Sequence, residues 1–500
     1  MSAKHVVVLG AGPAGLTAAY ELMRHGVAVT VLEKDPAYVG GISRTVEHRG
    51  YRFDIGGHRF FSKSEEIEAL WNEVLGAELL TRSRLSRIYF KGKYFAYPLK
   101  ATNALLNMGP LETIRCMTSY TWARIRPVKN PQTFEDWVSN QFGHRLFSIF
   151  FKTYTEKVWG ISTSELSADW AAQRIKGLDL SKATRSALLP GWGRKKNRGA
   201  VIKTLIDEFR YPRHGPGQMW ERVQSALTAG GNDVALGQEV VAIRIADGAV
   251  MSVVVRGPMG TTREVAGTHF ISTLPIRDLV ARCEPALPPT IQVAANSLKY
   301  RDFLTVAVVV NREKVFPDNW IYIHDPKAVV GRIQNFKNWS PDMVPDPKTT
   351  CLGMEYFCFE GDGLWDSSDE QLVDLATRDL ARLHICKPEE VAWGVVVRQI
   401  KAYPVYDESY KRHVANLADY FGEHLPNLQL VGRNGMHHYN NQDHSMMTAL
   451  LAARNIALGA HFDPWKVNTD AEYQEGALIE DDDRSGRLVP TLVGGDDGKI

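Results

Sequence analysis

Cysteine is scarce in this chain: Cys116, Cys283, Cys351, Cys358 and Cys386 are the only five in 500 residues, with no C-x-x-C pair and no Cys/His spacing suited to a metal. That excludes a disulfide-stapled scaffold and a structural zinc centre, and a cytoplasmic location is expected. An excess of one charge is missing as well, because 59 Lys and Arg face 57 Asp and Glu for a formal net charge of +2. A nucleic-acid partner therefore has no global electrostatic basis. Long apolar runs are lacking too: residues 6–22 are interrupted by Gly10, Gly12, Pro13 and Gly15, and residues 304–310 are only strand-length. Neither a signal segment nor a membrane span is expected. No stretch reads as an amphipathic helix with a basic rim that would anchor the chain to a membrane surface.

What is present is an ordinary globular composition, 44% hydrophobic and 23% charged, long enough for two or three domain-sized units. Charge is uneven in one place. Residues 461–500 hold ten acidic and four basic side chains, an acidic tail that leaves the remainder basic and favours a small anionic substrate. Assembly into an oligomer is left open.

The hydrophobic pattern predicts an α/β fold with a Rossmann-like domain. A Val-rich strand at 5–9 is followed by a glycine turn, helical spacing over 16–25, Gly26, and a second strand at 28–32. The dinucleotide-binding domain is read as discontinuous, over residues 1–60, 200–290 and 400–460. Residues 61–199 read as a mostly helical substrate domain, with Phe134, Trp137, Val138, Phe142, Phe147 and Phe150 at helical spacing. Residues 291–399 read as a sheet-rich domain flooring a substrate cavity, and 442–459 as one amphipathic helix.

Gly10, Gly12 and Gly15 form G-x-G-x-x-G, enclosing Pro13 and Ala14. The first glycine permits a tight turn, the second lets backbone approach a pyrophosphate, and the third lets helix and strand pack closely. The helix N-terminus then presents partial positive charge to the phosphates. Glu33 and Lys34 close the second strand, and an acceptor pair at Glu33 suits a ribose diol. Gly40-Gly41-Ile42-Ser43-Arg44-Thr45 follows shortly after. This extended fingerprint resembles the flavin-binding amine oxidase superfamily, which implies FAD rather than NAD. The resemblance sets Gly41, Ser43 and Arg44 at the pyrophosphate, and Val240 at the adenine through its backbone.

A closer likeness runs along residues 5 to about 460. Asp54-Ile-Gly-Gly-His-Arg-Phe-Phe-Ser62, the segment 86–98 ending in Tyr97-Pro98, Thr133-Phe-Glu-Asp-Trp137, Tyr154-Thr-Glu-Lys-Val-Trp159, Trp170, Gln173-Arg174, Asn338-Trp-Ser-Pro341, Tyr403-Pro404 and Asn441-Gln-Asp-His-Ser445 resemble UDP-galactopyranose mutases of the eukaryotic type. That resemblance implies ring isomerisation of a nucleoside-diphosphate sugar without net redox, in which reduced FAD attacks the anomeric carbon through N5. NADPH or NADH would be the reductant. It further implies His58 against the flavin in the Gly56-Gly57 loop, and Arg174 and Arg332 gripping the diphosphate, for which a guanidinium fork is suited. Tyr322, Tyr403 and Tyr439 would support that grip, with Tyr97, Trp159 and Trp320 in the sugar pocket. Arg433, Asn441, Gln442 and Ser445 would lie at the flavin's pyrimidine edge, where a helix dipole favours negative charge.

The departures fall at the base and sugar end. Lys100 stands where these mutases usually carry an amide, Thr155 replaces an asparagine, and His437-His438 occupy the places of an aromatic and an arginine in a loop one residue shorter. The base and the sugar therefore stay open. The alternative within the superfamily is a flavin oxidoreductase of the amine oxidase, protoporphyrinogen oxidase or desaturase kind.

Overall fold

The computed structural model describes residues 4–97, 99, 101–168, 208–407 and 409–468. A five-stranded parallel sheet lies at its centre, in the order Leu428–Leu430, His269–Ser272, His5–Leu9, Ala28–Leu32, Asp233–Ala235. The two inner strands His5–Leu9 and His269–Ser272 are buried on both faces and so read as continuous apolar runs rather than alternating ones. One face packs against the helices Pro13–Arg24, Gly217–Ala229 and Gln442–Leu458, through Leu16, Leu22, Val223, Leu227, Leu450 and Leu451.

The helix Gln442–Leu458 differs from expectation. It is buried without interruption from Asp443 to Ala453, because it runs through the interior against the first helix, so no polar face develops. Its Ala, Met and Thr residues suit that close packing.

A second, seven-stranded sheet has the order Val391–Pro404, Tyr300–Val310, Thr350–Cys358, Arg332–Asn335, Trp320–Ile323, Ser86–Phe90, Lys93–Ala96. Its last two strands come from the span read as helical, and its first strand runs past residue 399. Side chains alternate across it. Ile321, Ile333, Met354 and Val306 face Leu372, Ala376 and Leu380 of the helix Asp369–Arg382. Against the opposite face stand the helices Phe134–Phe142 and Thr153–Trp159, joined through His144–Phe147 and a π-helical turn, Ser148–Lys152.

All five cysteines are buried and free. Among the described residues no helix is long and apolar enough to cross a membrane.

Candidate flavin and substrate site

Three glycines of the first turn meet three different demands. Gly10 adopts φ +103°, and a Cβ there would lie 2.2 Å from Thr273 Oγ1. At Gly15 a Cβ would lie 1.9 Å from the Gly10 carbonyl oxygen, so helix and strand can approach only without one. At Gly12 the nearest atom would be Gly41 Cα at 3.9 Å, which leaves the backbone accessible to a ligand. The Gly40-Gly41 turn docks on this opening, with the Gly40 N–H donating to Ala11 O at 2.7 Å. Pro13 and Ala14 begin the helix, Pro13 at a position where no intrahelical N–H is needed.

Glu33 is tied to the same turn. Its Oε2 accepts from Ala11 N–H at 2.7 Å and its Oε1 from Asp35 N–H at 2.9 Å, while burial raises its pKa. Lys34 turns away, two-thirds exposed, to pair with Glu239 at 3.4 Å. Only its backbone is available to a cofactor. Gln238 N–H donates to Glu33 O at 2.7 Å, which brings the start of the strand Glu239–Ala246, and Val240 with it, beside the acid; a bulge follows directly after Val240. Ser43 is buried. Arg44 Nη1 donates to Gly41 O and Gln399 Oε1, yet its buried Nε has no hydrogen-bond partner.

The loop Gly56-Gly57-His58 lies on the face of the large sheet away from the helix Asp369–Arg382. A Cβ at Gly57 would come within 2.7 Å of Gln334 Nε2, and one at Gly56 within 3.8 Å of Arg332 Nη2. His58 Nδ1 is unpartnered. Burial, reinforced by Arg433 and Arg332, lowers the His58 pKa to about 3, so the ring is neutral. Arg433 is fixed by Asn440 O at 2.9 Å and Ala402 O at 3.2 Å, and lies over the Tyr439 and Tyr403 rings. Asn441 caps the last helix, with Ser445 buried one turn in and the buried Gln442 Oε1 unpartnered.

Sheet register assembles the rest. Tyr322, Arg332 and Glu355 are direct neighbours across three strands, and Trp320 and Gln334 form the next row. Arg332 Nε and Nη2 donate to Glu355 Oε2 at 2.9 and 2.6 Å, and Gln334 Nε2 donates to Oε1 at 2.7 Å. Burial alone would lower the Arg332 pKa, but Glu355 with Tyr154, Tyr403 and Tyr322 holds it well above its usual value. Burial likewise raises the pKa of Tyr154 and Tyr403, so both hydroxyls stay protonated. Tyr403 stacks on Tyr439 at 5.7 Å, with Trp159 beside both. Tyr97 packs on Tyr322 at 4.6 Å, and Thr155 is buried on the covering helix.

Lys100 and Arg174 lie outside the described residues. Four contributors escape a reading of the sequence. Glu355 sits in a strand with no motif around it. Tyr154 and Gln334 read as ordinary helix and strand residues. Arg84, between two strands, presents two buried nitrogens, Nε and Nη2, without hydrogen-bond partners, and lies over Trp320 and Tyr97. The Trp320 indole N–H is also unpartnered. Only cross-strand register, absent from a motif, could have found the Arg332–Glu355 pair.

The chain belongs to the flavin containing amine oxidoreductase family, whose sequence profile matches residues 13–457. A probable UDP-galactopyranose mutase of Klebsiella pneumoniae is 28% identical over 179 residues, 34% of this chain and 44% of that protein. The mitochondrial protoporphyrinogen oxidase of Nicotiana tabacum is 30% identical over 216 residues, 43% of this chain and 41% of that protein. The chain thus spans less than half the length of these curated relatives. A crystal structure of reduced UDP-galactopyranose mutase superposes with a TM-score of 0.78 at 22% identity, over 92% of this chain and 94% of that one; at that identity the likeness concerns the fold. The family implies a flavin cofactor, FAD. The residues fit it: backbone at Gly12 is open, Gln442 Oε1 and His58 Nδ1 are buried without a hydrogen-bond partner, and Arg44 Nε, also without a hydrogen bond, has only Asp35 Oδ2 at 3.8 Å.

Proposed function

We propose that this chain is a flavin-dependent, mutase-like enzyme that isomerises the ring of an activated anionic sugar, in the first instance a nucleoside-diphosphate sugar, without net redox. The observation carrying this reading is the row Tyr322, Arg332, Glu355 on one face of the large sheet, with Tyr154 and Tyr403 beside it. A face carrying a paired guanidinium and protonated tyrosine hydroxyls offers hydrogen-bond donors to a polar, anionic ligand, whereas a carotenoid or porphyrin calls for apolar walls.

Bound reduced flavin would supply an electron-rich nucleophile, with NADPH or NADH as a suitable reductant. Gly10, Gly12, Gly15, Glu33 and Arg44 would hold its dinucleotide part. Neutral His58 would offer Nδ1 at the reacting face. Tyr322 and Tyr403 would donate to phosphate oxygens alongside Arg332, and Arg174 is assigned to the same grip from the resemblance. Arg84 would add donors at the Trp320 and Tyr97 end.

The test is to reduce the protein anaerobically, add nucleotide sugars and lipid-phosphate sugars, quench with cyanoborohydride and weigh the released flavin. A mass increase of one sugar is expected. An unchanged mass, with a non-sugar donor bleaching the flavin and oxygen restoring it, would establish an oxidase or dehydrogenase instead. Arg84→Ala is expected to weaken nucleoside-diphosphate binding by about 1.5–3 kcal/mol, the range for a charged hydrogen bond, with flavin content unchanged. Titration calorimetry with UDP checks this, and unaltered affinity removes Arg84 from the site.

A further inference from the structure

The helix Pro110–Ile125 carries an apolar stripe that no described residue covers. Leu111, Ile114, Trp122 and Ile125 are each at least 60% exposed, and with Thr118 they follow three- and four-residue spacing along one face. Cys116, its one buried residue, lies on the opposite face. Val128 extends the stripe beyond the helix. The other exposed large apolar side chains among the described residues are scattered singly over the surface, which is normal; a contiguous stripe is not.

The flanks of the stripe are basic. Arg115, Arg124, Arg126 and Lys129 border it, and the Arg126 guanidinium lies 4.9 Å over the Trp122 ring. Beside it opens a cleft of about 410 Å³ lined by Arg115, Thr118, Ser119, His144, Arg145 and Ser148. Two carboxylates border the cleft, Glu112 paired with both Arg115 and Arg145 and Glu135 lying 3.9 Å from His144, and the guanidinium N–H groups and hydroxyls that line it are donors suited to a phosphate.

The geometry points to this face as a docking surface for an anionic lipid bilayer, with the stripe lying in the headgroup boundary and the cleft receiving a lipid phosphate. An apolar face with aromatic and basic borders is the pattern of an interfacial helix, and basic side chains are drawn to anionic leaflets. The excess of cations bordering the stripe, Arg115, Arg124, Arg126 and Lys129, complements an anionic leaflet, and the oligomeric state separates this occupant from a second copy. This assignment is independent of which reaction the buried site catalyses.

Co-sedimentation of the flavin-loaded protein with phosphatidylcholine vesicles, with and without phosphatidylglycerol, tests it. Binding to the anionic vesicles alone, weakened by salt, is expected. Ile114→Glu combined with Ile125→Glu should reduce the bound fraction at least about tenfold with flavin content unchanged. Should that variant fail to fold, Arg124→Gln with Arg126→Gln, a change at exposed positions only, should weaken binding in the same direction. Equal binding to both vesicle types, no binding, or native binding by a folded variant overturns the assignment. So does a native oligomer that the Ile variant dissociates, which would give the face to a second copy.

Discussion

Arg332→Ala is expected to lower the stability of the folded protein by about 3–5 kcal/mol, the cost of leaving one member of a buried ion pair uncompensated. Glu355 is fully buried, and two of its hydrogen bonds come from Arg332. After the substitution only the Gln334 amide would remain on that carboxylate. The loss should exceed that from removing a ligand contact, and it should appear in guanidinium unfolding without any ligand present. Replacing both partners, as Arg332→Met with Glu355→Leu, should recover much of the stability, since apolar groups of similar volume tolerate the interior well, while leaving the site unable to hold a diphosphate. A native-like unfolding midpoint for Arg332→Ala would mean that Glu355 is stabilised by other groups. The consequence for function is direct: lost turnover in the single variant would not by itself assign Arg332 to substrate, whereas a stable, folded and inactive double variant that keeps its flavin would assign the Arg332–Glu355 pair to it.

The dinucleotide half of this site is legible in sequence because its constraints are local. Gly10, Gly12 and Gly15 serve one turn, and Glu33 reaches back to that turn through a single hydrogen bond from Ala11. The substrate half is non-local. Arg332 acquires its meaning from Tyr322 on one side and Glu355 on the other, neighbours fixed by strand register, and a one-residue slip of its strand would turn Arg332 to the opposite face. The two strands 86–90 and 93–96 show the same limit: they lie in a span read as helical, and their place in the large sheet depends on a parallel pairing with Trp320–Ile323 that is remote in sequence. The helix Pro110–Ile125 fails for another reason. Cys116, Met117 and Tyr120 make its sequence apolar on several sides, so the exposed face becomes recognisable only once the helix is docked.

Asp54→Asn is expected to abolish most of a decline in stability between about pH 4 and pH 7. Asp54 is buried and accepts from Tyr211 Oη at 2.5 Å and Thr45 Oγ1 at 3.0 Å; even so, burial dominates and raises its pKa from 3.8 to about 7. The folded state therefore keeps a proton that the unfolded chain releases near pH 4. Stability contributed by this proton is complete below that value, is lost as pH rises towards 7, and changes no further above it. A shift of about three units corresponds to about 4 kcal/mol. Other groups titrate in the same window, including Glu33, whose pKa burial also raises, so the difference between native protein and Asp54→Asn is the quantity to read, from unfolding curves at pH 4.5 and pH 8. The effect should reach the cofactor. Asp54 ends the strand Tyr51–Asp54 immediately before the Gly56–His58 loop, and its Oδ1 would lie 2.9 Å from a Cβ at Gly215, in the loop that also packs on Thr45. Ionising it loads negative charge behind the segment proposed to face the flavin. Flavin should thus be held more tightly at pH 5 than at pH 8 in the native protein, and this difference should shrink in Asp54→Asn. Parallel pH profiles for the two proteins would mean that Asp54 stays ionised throughout, its charge carried by Tyr211 and Thr45.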